Sequence, residues 1–382
     1  MALNDCAGWA REATIEEPTW PSVAPARITR LLPNINLDLR TGANRQFTPA
    51  SDGTQIGYVS SDVTNFTPSF TVNMPMRYGG LEDIIVSAMG MQARWIQSVQ
   101  MPEVLVAGRA YRHLFELDTN LGTGMPWIQV ADGVFSDDVT PMQRKMRRGT
   151  LAVVREFTVW EYLSCMIDQI AFGWENTGEG HCNIQGLAYS VRQDPAVNTL
   201  ASMHKAMINF APSVFFHQGV LRIKDYSASE PLLVGHKMKT QTWNVTVQNI
   251  LQVTQGRRTG LSSEEFERGG APLVLGSFNL PRYVNNIFVD AWPTNTRLMM
   301  DLKFTGPLIH GTNIPYQVNF YVPGFYVIQA EPVGPTLARA NLPIQWYAAV
   351  PPVWPAGFPV GVKKGPLMIE LVNHISAHSL LP

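Results

Sequence analysis

The sequence has few cysteines and no long apolar run. Its 382 residues include three cysteines, Cys6, Cys165 and Cys182, and none of them forms a Cys-x-x-Cys pair. An odd, scattered set of cysteines argues against a disulfide framework and against a four-cysteine zinc site, so a reducing compartment fits best. The first residues lack a basic segment followed by an apolar one, which argues against a secretory signal. Residues 347–362 are uncharged but carry four prolines, and we expect no membrane insertion.

Charge is also scarce. Lysine and arginine number 29 against 30 acidic residues, so the overall balance predicts no attraction to nucleic acid. Charged residues make up 15% of the chain, whereas soluble domains usually have about 25%. A large surface with so little charge favours a protein that functions as an assembly, in which other subunits cover much of it.

Sequence motifs of common enzymes are missing. The chain has no GxxxxGK[ST] phosphate loop, no strand-linked GxGxxG and no GxSxG. His374 and His378 have the spacing of one helical turn, but no glutamate follows the first, so they are more typical of a tail than of a ligand pair. We therefore expect no catalytic residue, no metal and no cofactor.

One stretch could contradict that expectation. Residues 165–189 contain Cys165, His181 and Cys182 together with three carboxylates. An alternating run over 167–174, turn residues and a second extended run over 183–189 predict a β-hairpin. Two alternatives stay open: a metal site with ligands from elsewhere in the chain, and a cysteine–histidine nucleophile.

The rest of the chain reads as mostly β, with two helices. Short runs rich in β-branched and aromatic residues recur between Gly, Pro, Asn and Asp, at 63–72, 112–117, 151–159, 167–174, 183–189, 242–248, 297–304, 316–322 and 342–348. Apolar residues at helical spacing predict one helix before Gly90 and another before Pro293. The residues expected to pack these helices on the sheets are Leu81, Ile84 and Ile85, and Val284, Ile287 and Phe288.

Several marks occur twice in the same order. Ser-Phe precedes each helix, at 69–70 and 277–278, a Gly turn leads into an aromatic-started strand at 108–117 and 311–322, and Ile-Gln recurs at 184–185 and 344–345. This order predicts two tandem β-sandwich modules, each with a flanking α-helix. The predicted division is an N-terminal arm (1–30), a first module (31–200) with an insertion near 120–164, a second module (201–350) and a C-terminal extension (351–382).

With these marks, the chain resembles the tail tube proteins of long-tailed, non-contractile bacteriophages. The stretches that carry the resemblance are Ser69-Phe-Thr-Val with the helix over 77–90, then 105–117, 164–172 with its hairpin partner, Trp243-Asn-Val-Thr-Val-Gln-Asn, and 316–322 followed by Pro323. They span roughly 60–350, and their order is more specific than any one of them. The insertion and the C-terminal extension depart from the pattern.

The resemblance implies a structural virion protein of the viral tail. Its subunits would form rings, and the stacked rings would form a tube that delivers the genome. Two modules per chain predict a homotrimer with a pseudo-hexameric ring. The implied partners are the tape-measure protein, tail-terminator and tail-tip proteins, and double-stranded DNA in transit without sequence-specific binding. The implied location is the virion, after assembly in the bacterial host cytoplasm.

Two sets of residues are candidates for contacts in such a tube. Asp168, Gln169, Glu175 and Glu179 are hypothetical lumen or rim residues, although the outer solvent or a turn tip would suit them equally well. Arg144, Lys145, Arg147 and Arg148 form the one basic cluster and are candidates for inter-ring contact, although a solvated loop would explain them too. The alternative functions are another virion structural protein (capsid or decoration) and a β-sandwich glycan-binding module.

Overall fold

The computed structural model describes residues 6–11, 25–32, 36–40, 43–49, 58–92, 95–96, 99–100, 103–117, 129–131, 134–135, 148–155, 157–175, 178–206, 211–254, 265–268, 271–281, 287–331, 341–359 and 365–375. This part of the chain is mainly β, as the sequence predicts. Its α-helices are α1 (Glu82–Met89), α2 (Leu200–Lys205) and α3 (Ile287–Thr294), and two 3₁₀ helices lie at Phe216–Gln218 and Val234–His236.

The strands in chain order are β1 (Ala7–Arg11), β2 (Asn36–Arg40), β3 (Ala43–Pro49), β4 (Tyr58–Phe66), β5 (Ser69–Pro75), β6 (Gly90–Gln92), β7 (Trp95–Ile96), β8 (Val99–Gln100), β9 (Glu103–Val106), β10 (Ala110–Leu117), β11 (Gln129–Ala131), β12 (Val134–Phe135), β13 (Gly149–Arg155), β14 (Thr158–Glu175), β15 (His181–Leu187), β16 (Ser190–Gln193), β17 (Gly219–Asp225), β18 (Lys237–Met238), β19 (Thr242–Gln248), β20 (Leu251–Thr254), β21 (Glu265–Arg268), β22 (Leu273–Leu280), β23 (Leu298–Leu308), β24 (Pro315–Ala330), β25 (Leu342–Ala348) and β26 (Met368–Asn373).

Eight of these strands form a continuous antiparallel sheet, which we call the main sheet. Its order is β2–β5–β15–β14–β19–β22–β25–β24. The N-terminal half of the chain supplies the first four strands and the C-terminal half supplies the other four. The pairing of β14 with β19 joins the two halves without a break in the sheet.

A second layer is built on the two long strands β14 and β24. The first half of β14 pairs with β13 and β16, and β13 also pairs with β1. The first half of β24 pairs in the same way with β23 and β26, and β23 also pairs with β17. Both β14 and β24 therefore run from the second layer into the main sheet.

The first two strands of each half match with a constant offset. Leu37 of β2 lies opposite Val72 of β5. Trp243 of β19 lies opposite Phe278 of β22, and both residues are 206 positions further along the chain. In register, β2 and β5 thus correspond to β19 and β22.

The next two strands of each half match with a different offset, 160 positions. Gln169 of β14 lies opposite Gln185 of β15, and 160 positions later Gln329 of β24 lies opposite Gln345 of β25. Each ladder has a register shift just before the glutamine of the long strand. The correspondence therefore extends to a β-bulge at the same place, a feature that re-aims side chains locally.

The second layer repeats as well. β13 pairs with β14 in the register in which β23 pairs with β24, and both ladders shift after their first pair. β1 and β16 take the places that β17 and β26 take in the other half. The division into two modules stays a prediction, and this repetition of register favours it.

The strand pairings bear on the predicted boundaries of the two modules, which stay a prediction. β1 lies in the predicted arm and β26 in the predicted extension, and both strands are integral to the second layer. β13 and the first half of β14 lie in the predicted insertion 120–164, yet they have counterparts in β23 and β24. In a two-module division that follows the register, the extra segment would lie between α1 and β13. The predicted match of 108–117 with 311–322 was wrong, because the register relates β24 to β14.

Both predicted helices are present and pack on the sheets. Leu81, just before α1, and Ile84 and Ile85 within α1 are buried in the common core. The first turn of α1 carries two acidic residues, which favour a helix N-terminus. In α3, Phe288 is buried and meets Phe278 edge-on, while Ile287 is partly buried against the core.

The bounds of α3 differ from the prediction. Val284 lies outside the described residues, and α3 continues through Pro293 to Thr294 instead of stopping before the proline. A proline removes one helical hydrogen bond and clashes with the preceding turn. Because Pro293 is the last residue but one, that cost falls on the end of the helix.

The core that joins the two layers is aromatic. The Trp174 ring of β14 stacks on Phe304 of β23 with ring centroids 4.5 Å apart, and it contacts Trp243 of β19 and Phe320 of β24 with centroids 5.6 Å away in each case. All four side chains are buried. One side chain from the N-terminal half thus packs against three from the C-terminal half.

A buried carboxylate links β10 to the C-terminal half. Glu370 of β26 accepts hydrogen bonds from Asn319 at 2.7 Å and from the Tyr321 hydroxyl at 2.6 Å, and it forms an ion pair with Arg112 of β10. Burial alone would raise the pKa of Glu370, but Arg112 and the two hydrogen bonds outweigh it and lower that pKa. The carboxylate therefore stays charged, and β10 is held to β26.

Candidate functional site

The main sheet has one covered face and one open face. Along its strands, buried side chains alternate with exposed or partly exposed ones, because successive residues of a strand point to opposite faces. The covered face carries the aromatic core. We call the other side the open face. Its positions are Asn36, Asp38, Arg40, Ser69, Thr71, Asn73, Pro75, His181, Asn183, Gln185, Leu187, Gln169, Ala171, Gly173, Glu175, Thr242, Asn244, Thr246, Gln248, Leu273, Leu275, Ser277, Asn279, Pro343, Gln345, Tyr347, Tyr326 and Gln329.

The open face is polar but almost uncharged. Most of its side chains end in an amide or a hydroxyl, and none of these positions is a lysine. Full charges occur at Asp38, Arg40 and Glu175, of which the first two pair with each other at 3.0 Å. A further cation, Arg297, lies outside these strands and stacks on the Tyr326 ring at 5.2 Å.

The amides are arranged in rows across the strands. Thr71, Gln185, Gln169 and Gln248 lie opposite one another on four neighbouring strands. Directly opposed side chains on antiparallel strands are about 5 Å apart, so each row is a continuous band of hydrogen-bonding groups. Such a band stays wetted by water and offers no cation to an anionic ligand.

A second row runs parallel to the first. It contains Asn36, Asn73 and Asn183, one on each of β2, β5 and β15. Of the residues in the two rows, the sequence predicted only Gln169 as a lumen or rim residue, because the other candidates were charged. The alternation over 242–248 was the available signal, because every second residue there is Thr, Asn or Gln.

The predicted lumen or rim residues separate in the structure. Gln169 and Glu175 lie on the open face, and Glu175 is exposed at the end of β14. Asp168 is at the bulge, where its carboxylate accepts a hydrogen bond of 2.8 Å from the Leu251 backbone N–H, which gives it a structural role. Glu179 is exposed beyond the turn, beside a bridge to Phe215.

The basic cluster is only partly visible. Arg144, Lys145 and Arg147 lie outside the described residues. Arg148 comes just before β13 and is 5% exposed. Little of this side chain is left for a neighbouring ring, which disfavours an inter-ring contact at Arg148, and the contact of the cluster stays a prediction.

The cysteine–histidine stretch forms the predicted hairpin. Cys182 faces the core opposite Phe172, whereas His181 faces the open side opposite Gly173. Burial raises the pKa of the Cys182 thiol, which therefore stays protonated and is a poor nucleophile or metal ligand. Cys165 is buried as well, and its thiol donates to the Tyr162 carbonyl.

Among the residues that the structure describes, no group of three His, Cys, Asp or Glu side chains is placed to hold a metal ion. The described helices are all too short or too polar to cross a bilayer. The Nδ1 atom of His374 and the Tyr316 hydroxyl share a hydrogen bond of 3.0 Å. His378 lies outside the described residues.

No protein-family model and no curated protein matches the chain.

Proposed function

We propose that the chain is a tail tube subunit of a long-tailed, non-contractile bacteriophage, and that the open face of the main sheet lines the bore. The observation that carries the proposal is a continuous sheet of eight strands with repeated register and a polar face nearly free of cations. The resemblance read from the sequence supplies the biological setting.

A conduit for DNA must not hold its cargo. Each lysine or arginine that neutralises a phosphate releases counterions and strengthens binding, so a row of cations would retain the genome. Thr71, Gln185, Gln169 and Gln248 offer only neutral groups, and the one arginine of the open face already has a carboxylate partner. This surface suits passage better than capture.

The strand count suits a tube of the required width. Three chains with eight strands each give a barrel of about 24 strands, which at ~4.8 Å spacing and ~40° tilt is roughly 48 Å across. Side chains of about 5 Å on each wall leave a bore of roughly 38 Å, wider than the ~20 Å of B-form DNA. In this proposal the subunit also binds a tape-measure protein and tail-end proteins in the virion.

Electron microscopy of the purified protein tests the proposal. Over a concentration series we expect rings and then tubes with a regular axial repeat. Shells or plates would favour a capsid or decoration protein instead. Particles that remain single at every concentration, together with binding on a glycan array, would overturn the proposal in favour of a glycan-binding module.

A further inference from the structure

A short apolar row crosses the C-terminal half of the open face. Leu275 of β22, Tyr347 of β25 and Tyr326 of β24 lie opposite one another, and we call these three residues the tyrosine row. Tyr347 is 38% exposed, and its ring stacks on that of Tyr326 with centroids 5.4 Å apart. Because water solvates apolar surface poorly, an exposed row of this kind favours a ligand that covers it.

Arg297 extends the tyrosine row past β24. At Phe325, β23 and β25 pair with β24 on its two sides. Arg297 directly precedes β23 and therefore lies on the side of β24 away from β25. Its guanidinium stands between two rings, 5.2 Å from the Tyr326 centroid and 5.4 Å from the Tyr226 centroid. The row thus ends in a cation.

This guanidinium has no carboxylate partner among the described residues. The Nε atom of Arg297 is buried and forms no hydrogen bond there. The rings of Tyr226 and Tyr326 cover its two faces and fix the plane of its N–H groups. A planar guanidinium binds a carboxylate through two parallel N–H···O bonds. Arg297 is therefore oriented for an acidic group that no described residue supplies.

The corresponding positions of the N-terminal half are covered by the chain itself. Tyr326 opposite Tyr347 corresponds in register to Met166 opposite Leu187, 160 positions earlier. Met166 is fully buried, and Leu251 packs against it. The same place in the C-terminal half keeps its apolar character but stays open among the described residues.

The polar anchor of that cover has no counterpart in the C-terminal half. Asp168 accepts a hydrogen bond of 2.8 Å from the Leu251 backbone N–H and so holds the cover in place. The residue 160 positions after Asp168 is Ile328, which is 44% exposed and has no side-chain acceptor. A second copy that repeated the internal arrangement would lose this anchor. Apolar contacts along the row and a charge at Arg297 favour a partner of different chemistry.

We propose that the tyrosine row and Arg297 bind an amphipathic helix of a partner protein, whose apolar stripe covers the row and whose carboxylate pairs with Arg297. A DNA duplex would offer Arg297 a phosphate but has no apolar stripe for the row. Binding of this helix goes beyond the proposed tube function, because a single unassembled chain suffices for it.

The spacing of the row suits a helix that crosses the strands. Neighbouring strands are ~4.8 Å apart, whereas side chains on one face of an extended peptide are about 6.7 Å apart and lose step with the row. Apolar residues three or four positions apart on a helix recur every ~4.5–6 Å. Leu275, Tyr326 and Arg297 span roughly 15 Å, which corresponds to apolar residues at i, i+4 and i+7 and an acid at i+11.

Fluorescence anisotropy tests the site with the full chain, below the concentration at which it assembles. The probe is a labelled helical peptide with leucine at i, i+4 and i+7 and glutamate at i+11, in a background of alanine and glutamine. Arg297→Gln should weaken its binding about tenfold but should leave unchanged the binding of the same peptide with glutamine at i+11. Tyr347→Ala should weaken both peptides alike, because it removes part of the row.

Arg155→Gln is the matched control. Arg155 is an exposed arginine at the end of β13, away from the open face, and its loss should leave binding of both peptides as in the parent. Equal binding of the glutamate peptide and a scrambled peptide of the same composition would overturn the proposal. Equal binding of the glutamate peptide by the parent and by Arg297→Gln would overturn it as well.

Assembly of the same variants separates this site from the tube. Tubes formed by a chain that binds no peptide would overturn the site and leave the tube function standing. Peptide binding by a chain that stays single at every concentration would support the site and overturn the tube. Loss of assembly in Arg297→Gln, without peptide binding by the parent, would assign the row to a second copy and overturn the proposal.

Discussion

Gln169 lies directly opposite Gln185, just after a β-bulge in β14, and the same arrangement recurs 160 residues later in β24. A bulge disturbs the ladder and is retained where it re-aims side chains. Two bulges at corresponding places of two ladders place both pairs of glutamines on the open face. The repeat therefore conserves the chemistry of that face along with its register.

The close packing of the first bulge predicts the effect of one methyl group. A Cβ added at Gly186 would lie 2.3 Å from the Met166 carbonyl oxygen and 2.5 Å from the Phe70 ring. Since the carbonyl belongs to the ladder, Gly186→Ala should lower the free energy of unfolding by about 1–3 kcal/mol. Urea unfolding measures this. Gly235→Ala is the control, because nothing lies within 4 Å of its added methyl; equal midpoints would contradict the prediction.

Local patterns predicted the elements well. The apolar spacing around Ile84 and Phe288 located both helices, and the alternation and turn residues around His181 located the β14–β15 hairpin. These signals depend on neighbours in sequence, where periodicity is informative. The hairpin also explained why a cysteine and a histidine adjacent in sequence face opposite sides of a sheet.

Long-range pairing could not be predicted in the same way. The partners of β1 and β26 lie far away in sequence, and nothing in Ala7–Arg11 or Met368–Asn373 identifies them. The sequence features predicted a repeat, which the repeated register favours, but their alignment differs from that register by two residues, since Phe278 takes the position of Val72 and not of Phe70. The register of a strand is defined only by its partner, because the side-chain pattern of a single strand repeats every two residues and fits registers that differ by two.

The neutral open face predicts how added cations would act. Gln185→Lys should leave assembly intact, because this exposed side chain lies on the open face, but should make tubes bind DNA. Binding should fall steeply with salt, with a slope set by the number of phosphates contacted. Filter binding at several salt concentrations measures it. The control Gln185→Asn should bind no better than the parent. Equal DNA binding by the lysine variant and the parent would remove Gln185 from the bore.

A buried histidine predicts how stability depends on pH. His113 of β10 donates from Nε2 to the Ile375 carbonyl at 2.9 Å, and burial lowers its pKa to about 4. Below pH ~6.5 the unfolded chain binds a proton that the folded chain refuses until about pH 4. The free energy of unfolding should therefore fall by up to about 3 kcal/mol as the pH falls through this range.

The comparison with His113→Gln isolates that contribution. Burial raises the pKa of Glu82, so its protonation stabilises the folded state as the pH falls and opposes the effect of His113. The variant retains Glu82. Urea unfolding of both proteins at pH 7 and pH 4.5 should therefore show the smaller loss for the variant, and parallel losses would argue against a neutral, buried His113.

The shared core predicts that the two halves unfold together. Trp174 of the N-terminal half packs on Trp243, Phe304 and Phe320 of the C-terminal half, and one apolar cluster extends through both. Trp174→Ala should lower stability by about 3–5 kcal/mol, because it leaves a cavity that several rings line. Calorimetry of the unassembled protein should show one transition, with equal calorimetric and van't Hoff enthalpies, shifted as a whole in the variant. Two transitions, of which Trp174→Ala shifts only one, would mean that each half keeps a core of its own in spite of the continuous sheet.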